Sequence, residues 1–310
     1  MAAVDHRGRL RQQSRIRTPD VPEKVESELA KYVLDATKDE DQKPAGIGVG
    51  VAGQISADGM MIEFAPNLGW QEVPLGANFT RRLDLPVRLL NDVRAATWGE
   101  WLYGAGRDCK DLACVFVGTG IGGGIISDGK MLDGHSNTAG EIGHMVVELN
   151  GEKCRCGNRG CLEAYAGGRG IARRARDACR DPVAGHLLLQ LAGGDAGAVT
   201  ARTVSEAASA GDPLASRILS QADEALAAGM ISLVHAFNPC RLVFGGGVIQ
   251  GRPELIQQVR EHVLERALPA ATRSLEILTA ELPQHAAVAG AAAYAMRCAA
   301  ADQAMCRKPH

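Results

Sequence analysis

The chain has 310 residues, 46% hydrophobic and 23% charged, with 34 basic against 36 acidic side chains and a net charge of −2. That is the composition of a globular protein long enough for two domains. It provides no basic face for nucleic acid or anionic lipid, and no apolar run able to span a bilayer. The N-terminus lacks a signal-peptide core, so a cytoplasmic location is expected. Nine cysteines in so large a chain point to free thiols plus a metal site rather than a disulfide framework.

In chain order, Ala2-Ala3-Val4, the turn Asp5-His6-Arg7-Gly8 and the alternation from Leu10 to Arg17 predict a β-hairpin. A helix is expected over 22–36, with Pro22 in its first turn. The strand Ile47 to Val51 alternates glycine with β-branched residues, so backbone or ligand should approach it closely. A second strand over 86–90 runs into Asn91-Asp92, and a helix begins near Val93. Strands are expected over 112–117 and 123–127, joined by a glycine-rich loop, before a polar region over 134–160. Beyond Cys161 the pattern is mostly helical. From Pro213 to Phe237, Leu214, Ile218, Ala222, Leu226, Met230, Leu233 and Phe237 recur at spacings of three and four. A strand over 241–244 leads through Gly245-Gly246-Gly247 to a helix near Pro253. A strand over 275–279 then precedes a final alanine-rich helix from about His285 to Cys298. Strands alternating with helices predict two α/β domains.

His144, Cys154, Cys156 and Cys161 follow one another as H-x9-C-x-C-x4-C. Three thiolates and an imidazole make the closed tetrahedral set of structural zinc, and Gly157 and Gly160 supply the positive φ needed to wrap the loop around one ion. Glu141 and Glu163 lie within a few residues of these ligands. They read either as solvated glutamates or as carboxylates held still by the metal. Gly118, Gly120 and Gly123 make a formal G-x-G-x-x-G, but a strand follows instead of a helix, so the dinucleotide reading fails. What remains is a hairpin turn, or a loop whose amides and Thr119 hydroxyl cradle phosphate oxygens. Gly245 to Gly247 lie at the carboxyl end of a strand, where α/β sheets place ligands. Asp92 reads as an N-cap or as a general base, and Asn67 in Pro66-Asn67-Leu68-Gly69-Trp70 as a turn residue or a partner for a sugar hydroxyl.

Together, Gly118-Thr119-Gly120-Ile121-Gly122-Gly123-Gly124, Gly140-Glu141-Ile142-Gly143-His144 and the run from Cys154 to Ala166 resemble the ROK family of sugar kinases and sugar-responsive repressors. Pro66 to Trp70, Asn91-Asp92 and Phe244 to Val248 match it in order and spacing. The resemblance implies an actin-like, hexokinase-type (ribonuclease H-like) α/β fold of two domains closing over a cleft. The smaller domain would be residues 1–106 plus a returning helix in 286–310, and the larger one residues 107–285. It implies Asp92 as catalytic base; Asn67, Asn91, Asp92, Glu141, His144 and Glu163 on the sugar; and Gly118, Thr119, Gly120, Ile121, Gly122, Gly123, Gly245 and Gly246 on the nucleotide. His144, Cys154, Cys156 and Cys161 would hold Zn²⁺, and Mg²⁺ would accompany ATP.

The implied reaction is ATP-dependent phosphorylation of a hexose, glucose first, by a homodimer or homotetramer with no nucleic-acid or membrane partner. The alternatives are a non-catalytic sugar sensor, or a kinase for N-acetylmannosamine, N-acetylglucosamine or fructose. Two departures stand out. Arg94 occupies a position where many family members carry a small or amide residue. The Asp-x-Gly-Gly-Thr loop that touches the ATP phosphates occurs nowhere in these residues, and the chain begins at what resembles the hairpin after it. The expectation is a truncated or misassigned start rather than a kinase-derived protein with impaired nucleotide binding.

Overall fold

A computed structural model of the chain describes residues 1–38, 44–282 and 284–306, the last six by their backbone only. Residues 307–310, assigned from sequence to the smaller domain, lie outside the described residues. The chain forms two compact units.

The first unit comprises Met1–Cys109, Met131–Ala139 and Glu281–His310. It therefore includes a short segment, 131–139, that the sequence reading places in the larger domain. The hairpin β1 (Ala2–Val4) and β2 (Leu10–Gln13) is antiparallel. Helix α1 (Pro22–Ala36) follows, with Pro22 at its start, where no helical N–H is needed. Strand β3 (Ile47–Val51) pairs in parallel with β7 (Val87–Asn91), forming a two-stranded sheet separate from the hairpin. Between them lie the meander β4 (Gln54–Ile55), β5 (Ile62–Ala65) and β6 (Trp70–Val73), and helix α2 (Leu75–Leu83). Ile55, Ile62, Trp70, Leu75, Phe79, Val87 and Leu89 form the core under this part.

Helix α3 (Asp92–Tyr103) springs directly from β7 and packs against the C-terminal helix, Ala286–Cys306. That packing is backbone against backbone. A Cβ on Gly99 would lie 2.1 Å from the carbonyl oxygen of Ala286, and one on Gly290 would lie 1.8 Å from that of Ala95. The close approach expected at β3 has the same origin, since a Cβ on Gly48 would meet the Ala291 carbonyl oxygen at 1.9 Å. The neighbour is a helix of this unit, not a ligand.

Glu100 locks the far end of α3. It is fully buried, and its carboxylate accepts the amides of Ala105 (3.0 Å), Glu281 (3.0 Å) and Leu282 (2.7 Å). Three charge-assisted bonds satisfy the carboxylate, and removing it strands three amides. Glu100→Leu should lower the unfolding free energy by about 3 kcal/mol or more in urea titrations. A loss under about 1 kcal/mol would mean that water replaces the carboxylate.

The second unit comprises Lys110–Lys130 and Gly140–Ala280. Strands β8 (Leu112–Val117), β9 (Ile121–Ser127), β10 (Lys130–Met131), β11 (Arg241–Gly245) and β12 (Glu276–Thr279) form one sheet, ordered β10-β9-β8-β11-β12. β8 runs antiparallel to β9 and parallel to β11, which is parallel to β12. Helices α4 (Leu162–Ala166), α5 (Gly168–Ala178), α6 (His186–Leu191), α7 (Ala201–Ser209), α8 (Pro213–Phe237), α9 (Gly247–Gly251), α10 (Glu254–Arg266) and α11 (Pro269–Thr272) complete it. The predicted periodicity of α8 is its buried stripe, with Leu226, Met230 and Leu233 fully shielded. Phe237, counted on that stripe from sequence, is 40% exposed at the helix end.

Candidate active site and metal centre

In the first unit the chemistry is concentrated where β7 becomes α3. Asn91, not Asp92, is the N-cap: its Oδ1 accepts the amides of Val93 (2.9 Å) and Arg94 (3.2 Å), while its Nδ2 donates to the Gly53 carbonyl (3.2 Å). The N-cap reading of Asp92 is thereby corrected, and the amide of Asn91, expected on a sugar, is engaged in holding the turn. Asp92 is left as the first helical residue, its Oδ1 taking one backbone contact from the Val93 amide at 3.0 Å. Burial pushes its carboxyl above the ordinary 3.8, with the Val93 amide pulling the other way. A carboxylate with a raised pKa and few partners suits a general base. Asn67 sits exposed in the turn between β5 and β6, where Gly69 has φ +68°.

Arg94 is engaged with residues 133 and 137. Its guanidinium is buried and donates to the Asn137 carbonyl (2.9 Å), the Asn137 side chain and the Asp133 carboxylate. Asn137 in turn donates to the carbonyls of Ile55 and Ser56, at 3.1 Å each. The departure at position 94 thus serves to pin residues 133–137 to this unit.

In the second unit the glycine-rich segment is mostly strand. β9 starts at Ile121, two residues earlier than predicted, and the turn proper is Gly118 to Gly120, closed by the Gly118 amide on the Gly120 carbonyl at 2.9 Å. The first residues of α5 clamp this turn, Gly168 and Arg169 donating to the carbonyls of Gly118 (2.9 Å) and Thr119 (2.8 Å). Ile121, expected on the nucleotide, is buried and gives its amide to Glu163 Oε2 at 2.9 Å. Gly122 lies within β9 opposite Phe116. Gly123 is glycine for a packing reason: a Cβ there would meet Ile142 Cδ1 at 2.2 Å. The glycines of β9 thus make room for the 3₁₀ turn Ile142–His144 as well as leaving a bare turn at Gly118 to Gly120.

The second glycine cluster lies beside that turn. β11 is parallel to β8, with Gly245 in register with Phe116, and Gly246 has φ +97°. A Cβ on Gly246 would stand 2.4 Å from the Val117 carbonyl oxygen. Two glycine turns therefore share the carboxyl ends of adjacent parallel strands, the edge where α/β sheets bind ligands.

His144, Cys154, Cys156 and Cys161 each bring one ligand atom into a cluster whose members lie within 4.8 Å of one another. Cys154 Sγ is 3.7 Å from His144 Nδ1, and Cys156 Sγ is 3.7 Å from Cys161 Sγ. Tetrahedral zinc with Zn–S of about 2.3 Å demands ligand separations of about 3.8 Å, so the donor set fits the ion. Gly157 and Gly160 have φ +96° and +75°, as the wrapped loop requires. Cys161 and Cys154 are buried and Cys156 is exposed. Burial pushes the Cys161 thiol up to about 12 and raises Cys154, while the Asn158 amide lowers Cys156. A divalent cation is what would let three such thiols stand together as thiolates. His144 directs Nδ1 at the cluster and leaves Nε2 3.9 Å from Glu141 Oε2. Elsewhere, Cys179 and Cys298 are free thiols, but Cys109 and Cys240 are disulfide-bonded, where free thiols plus a metal site were expected.

The model of the ROK family matches residues 1–297. The chain belongs to the ROK family. It is 31% identical over 291 residues to the glucokinase of Streptomyces coelicolor, covering 93% of this chain and 91% of that one. It is 30% identical over 245 residues to the xylose repressor of Caldicellulosiruptor bescii, covering 79% of this chain and 61% of the repressor. Among solved structures, the ROK glucokinase of Streptomyces griseus in complex with glucose and AMPPNP superposes with a TM-score of 0.77 at 32% identity, covering 96% and 95% of the two chains. The ROK chain described here therefore has the actin-like two-domain α/β fold. No helix among its described residues is long and apolar enough to cross a membrane.

Proposed function

We propose that this chain transfers the γ-phosphoryl group of ATP to a hexose, glucose before others. Sugar-kinase activity follows from glucokinase relatives at 31% and 34% identity and from the ROK glucokinase structure at 32%; the choice of glucose and the residue roles are our reading. The observation that carries it is Asp92: a part-buried carboxylate of raised pKa, first in its helix and little engaged by its surroundings. It takes the proton of the attacking hydroxyl, while Asn91 fixes the turn that presents it.

Asn67, Glu141, His144 and Glu163 bind sugar hydroxyls, His144 through Nε2. Gly118, Thr119, Gly120, Gly245 and Gly246 receive the nucleotide, backbone amides of the first turn steadying charge on the transferring group. Mg²⁺, bound with ATP, neutralises phosphate charge. His144, Cys154, Cys156 and Cys161 would hold a structural zinc ion, which would brace Glu141 and Glu163 on either side.

The test is ADP release coupled to a hexose panel containing glucose, fructose, N-acetylglucosamine and N-acetylmannosamine. Glucose should give the highest kcat/KM. Absence of ADP release with every sugar would overturn the kinase reading. Calorimetry with sugar alone would then decide for a non-catalytic sensor, the second reading favoured by the similarity to the xylose repressor.

A further inference from the structure

Beside the metal loop, a cavity of about 290 Å³ opens in the second unit. Its charged lining is Lys153, Arg155, Arg169 and Arg173, against the single carboxylate of Glu163. Four cations around one depression are a marked local excess in a chain of net charge −2. Arg173 is held by Glu152 at 2.9 Å. Lys153, Arg155 and Arg169 are exposed, and none makes a side-chain hydrogen bond or ion pair among the described residues. The negative end of Glu163 is already turned to the Ile121 amide. The volume is at the small end of ligand-sized pockets.

We propose that this cavity is an anion site for a phosphate group, carried on a sugar phosphate or free in solution. A phosphate dianion offers three acceptor oxygens, which two guanidinium forks and an ammonium match in charge and geometry. The cavity adjoins the sugar site of the kinase reading through Glu163, but its anion binding is a separate property whose detection needs no turnover. The competing account is that these cations balance a metal–thiolate cluster, three thiolates and one imidazole leaving a net negative charge on zinc.

Calorimetric titration of the full, metal-replete chain at fixed ionic strength decides, with inorganic phosphate and glucose 6-phosphate as separate probes. Saturable binding is expected for at least one of them. It should weaken about tenfold or more in the double variant Arg155→Ala, Arg169→Ala, with zinc content and melting temperature unchanged. Arg155→Lys, Arg169→Lys should retain most of it. Tighter binding of glucose 6-phosphate that is lost in the double alanine variant would name a sugar phosphate as the occupant, and equal binding of the two probes would name free phosphate. No saturable binding, or affinity unchanged in the double alanine variant, would overturn the site. Loss of zinc in that variant with unaltered phosphate affinity would do the same, and would assign the cations to the thiolates.

Discussion

Asp92→Asn is expected to reduce kcat for hexose phosphorylation by about 10²–10⁴-fold while leaving hexose affinity nearly unchanged. The same variant should melt at or above the temperature of the parent. The reasoning runs through the carboxyl's surroundings: burial raises it above its ordinary 3.8, so the unfolded chain holds the ionised form more readily than the folded one. Its contribution to stability is therefore lost as pH rises from 3.8 through the folded value, and at neutral pH the full penalty is present. Asparagine removes the penalty, offset in part by the lost attraction of a negative charge to the start of α3. The raised pKa also predicts that the acid limb of the rate profile lies above the ordinary 3.8 of an aspartate, because the base must be ionised. A variant with parental kcat, read in the coupled assay, would remove Asp92 from the chemistry.

The second large effect concerns the metal. Freshly purified protein is expected to contain about one zinc per chain by elemental analysis. Cys161→Ser should abolish it and sharply lower the melting temperature. Structural zinc contributes about 10–16 kcal/mol in isolated finger peptides. Here the gain is smaller, because a large core already supports the unit: the cluster packs against Ala164 and Tyr165 at the start of the helical layer. The exposed Cys156 should give the milder phenotype when replaced by serine. Hexose affinity should fall with the metal, since Glu141 and Glu163 flank its ligands in sequence. Acidification should release the ion as thiolates and imidazole protonate. If chelator-treated protein binds hexose and melts like the parent, the bracing role is gone.

The features legible from sequence were those written locally. Helix α1 and strand β3 carry their own periodicity and end signals, and the four metal ligands sit within 18 residues of chain. The carboxyl-end position of Asp92 was also visible, as a polar pair closing an apolar run. Asn91 was harder to read, because whether an Asn-Asp pair caps through its first or second member depends on where the strand stops, a matter of one residue. The glycines of β9 misled because absence of a side chain signals a bare loop and close packing alike. Only the position of Ile142 separates the two. Glu100 gave no signal at all: two of the amides it satisfies lie 181 and 182 residues further on. Arg94 was visible as a departure, but its partners at 133 and 137 lie 39 and 43 residues further on, also beyond local pattern.

The grip on α3 has a mechanical consequence. Asp92 and Gly99 are seven residues apart, about 10 Å along the helix axis. The lower end is wedged at Gly99 against Ala286 and tied through Glu100. The helix is thus a lever with its fulcrum at the glycine contact and its working end at the carboxylate. A tilt of about 5° at the fulcrum would carry Asp92 about 1 Å, a displacement that can cost about 100-fold in rate. Gly99 and Gly290 thereby act as a gauge block, setting the spacing between α3 and the C-terminal helix by the thickness of two bare backbones.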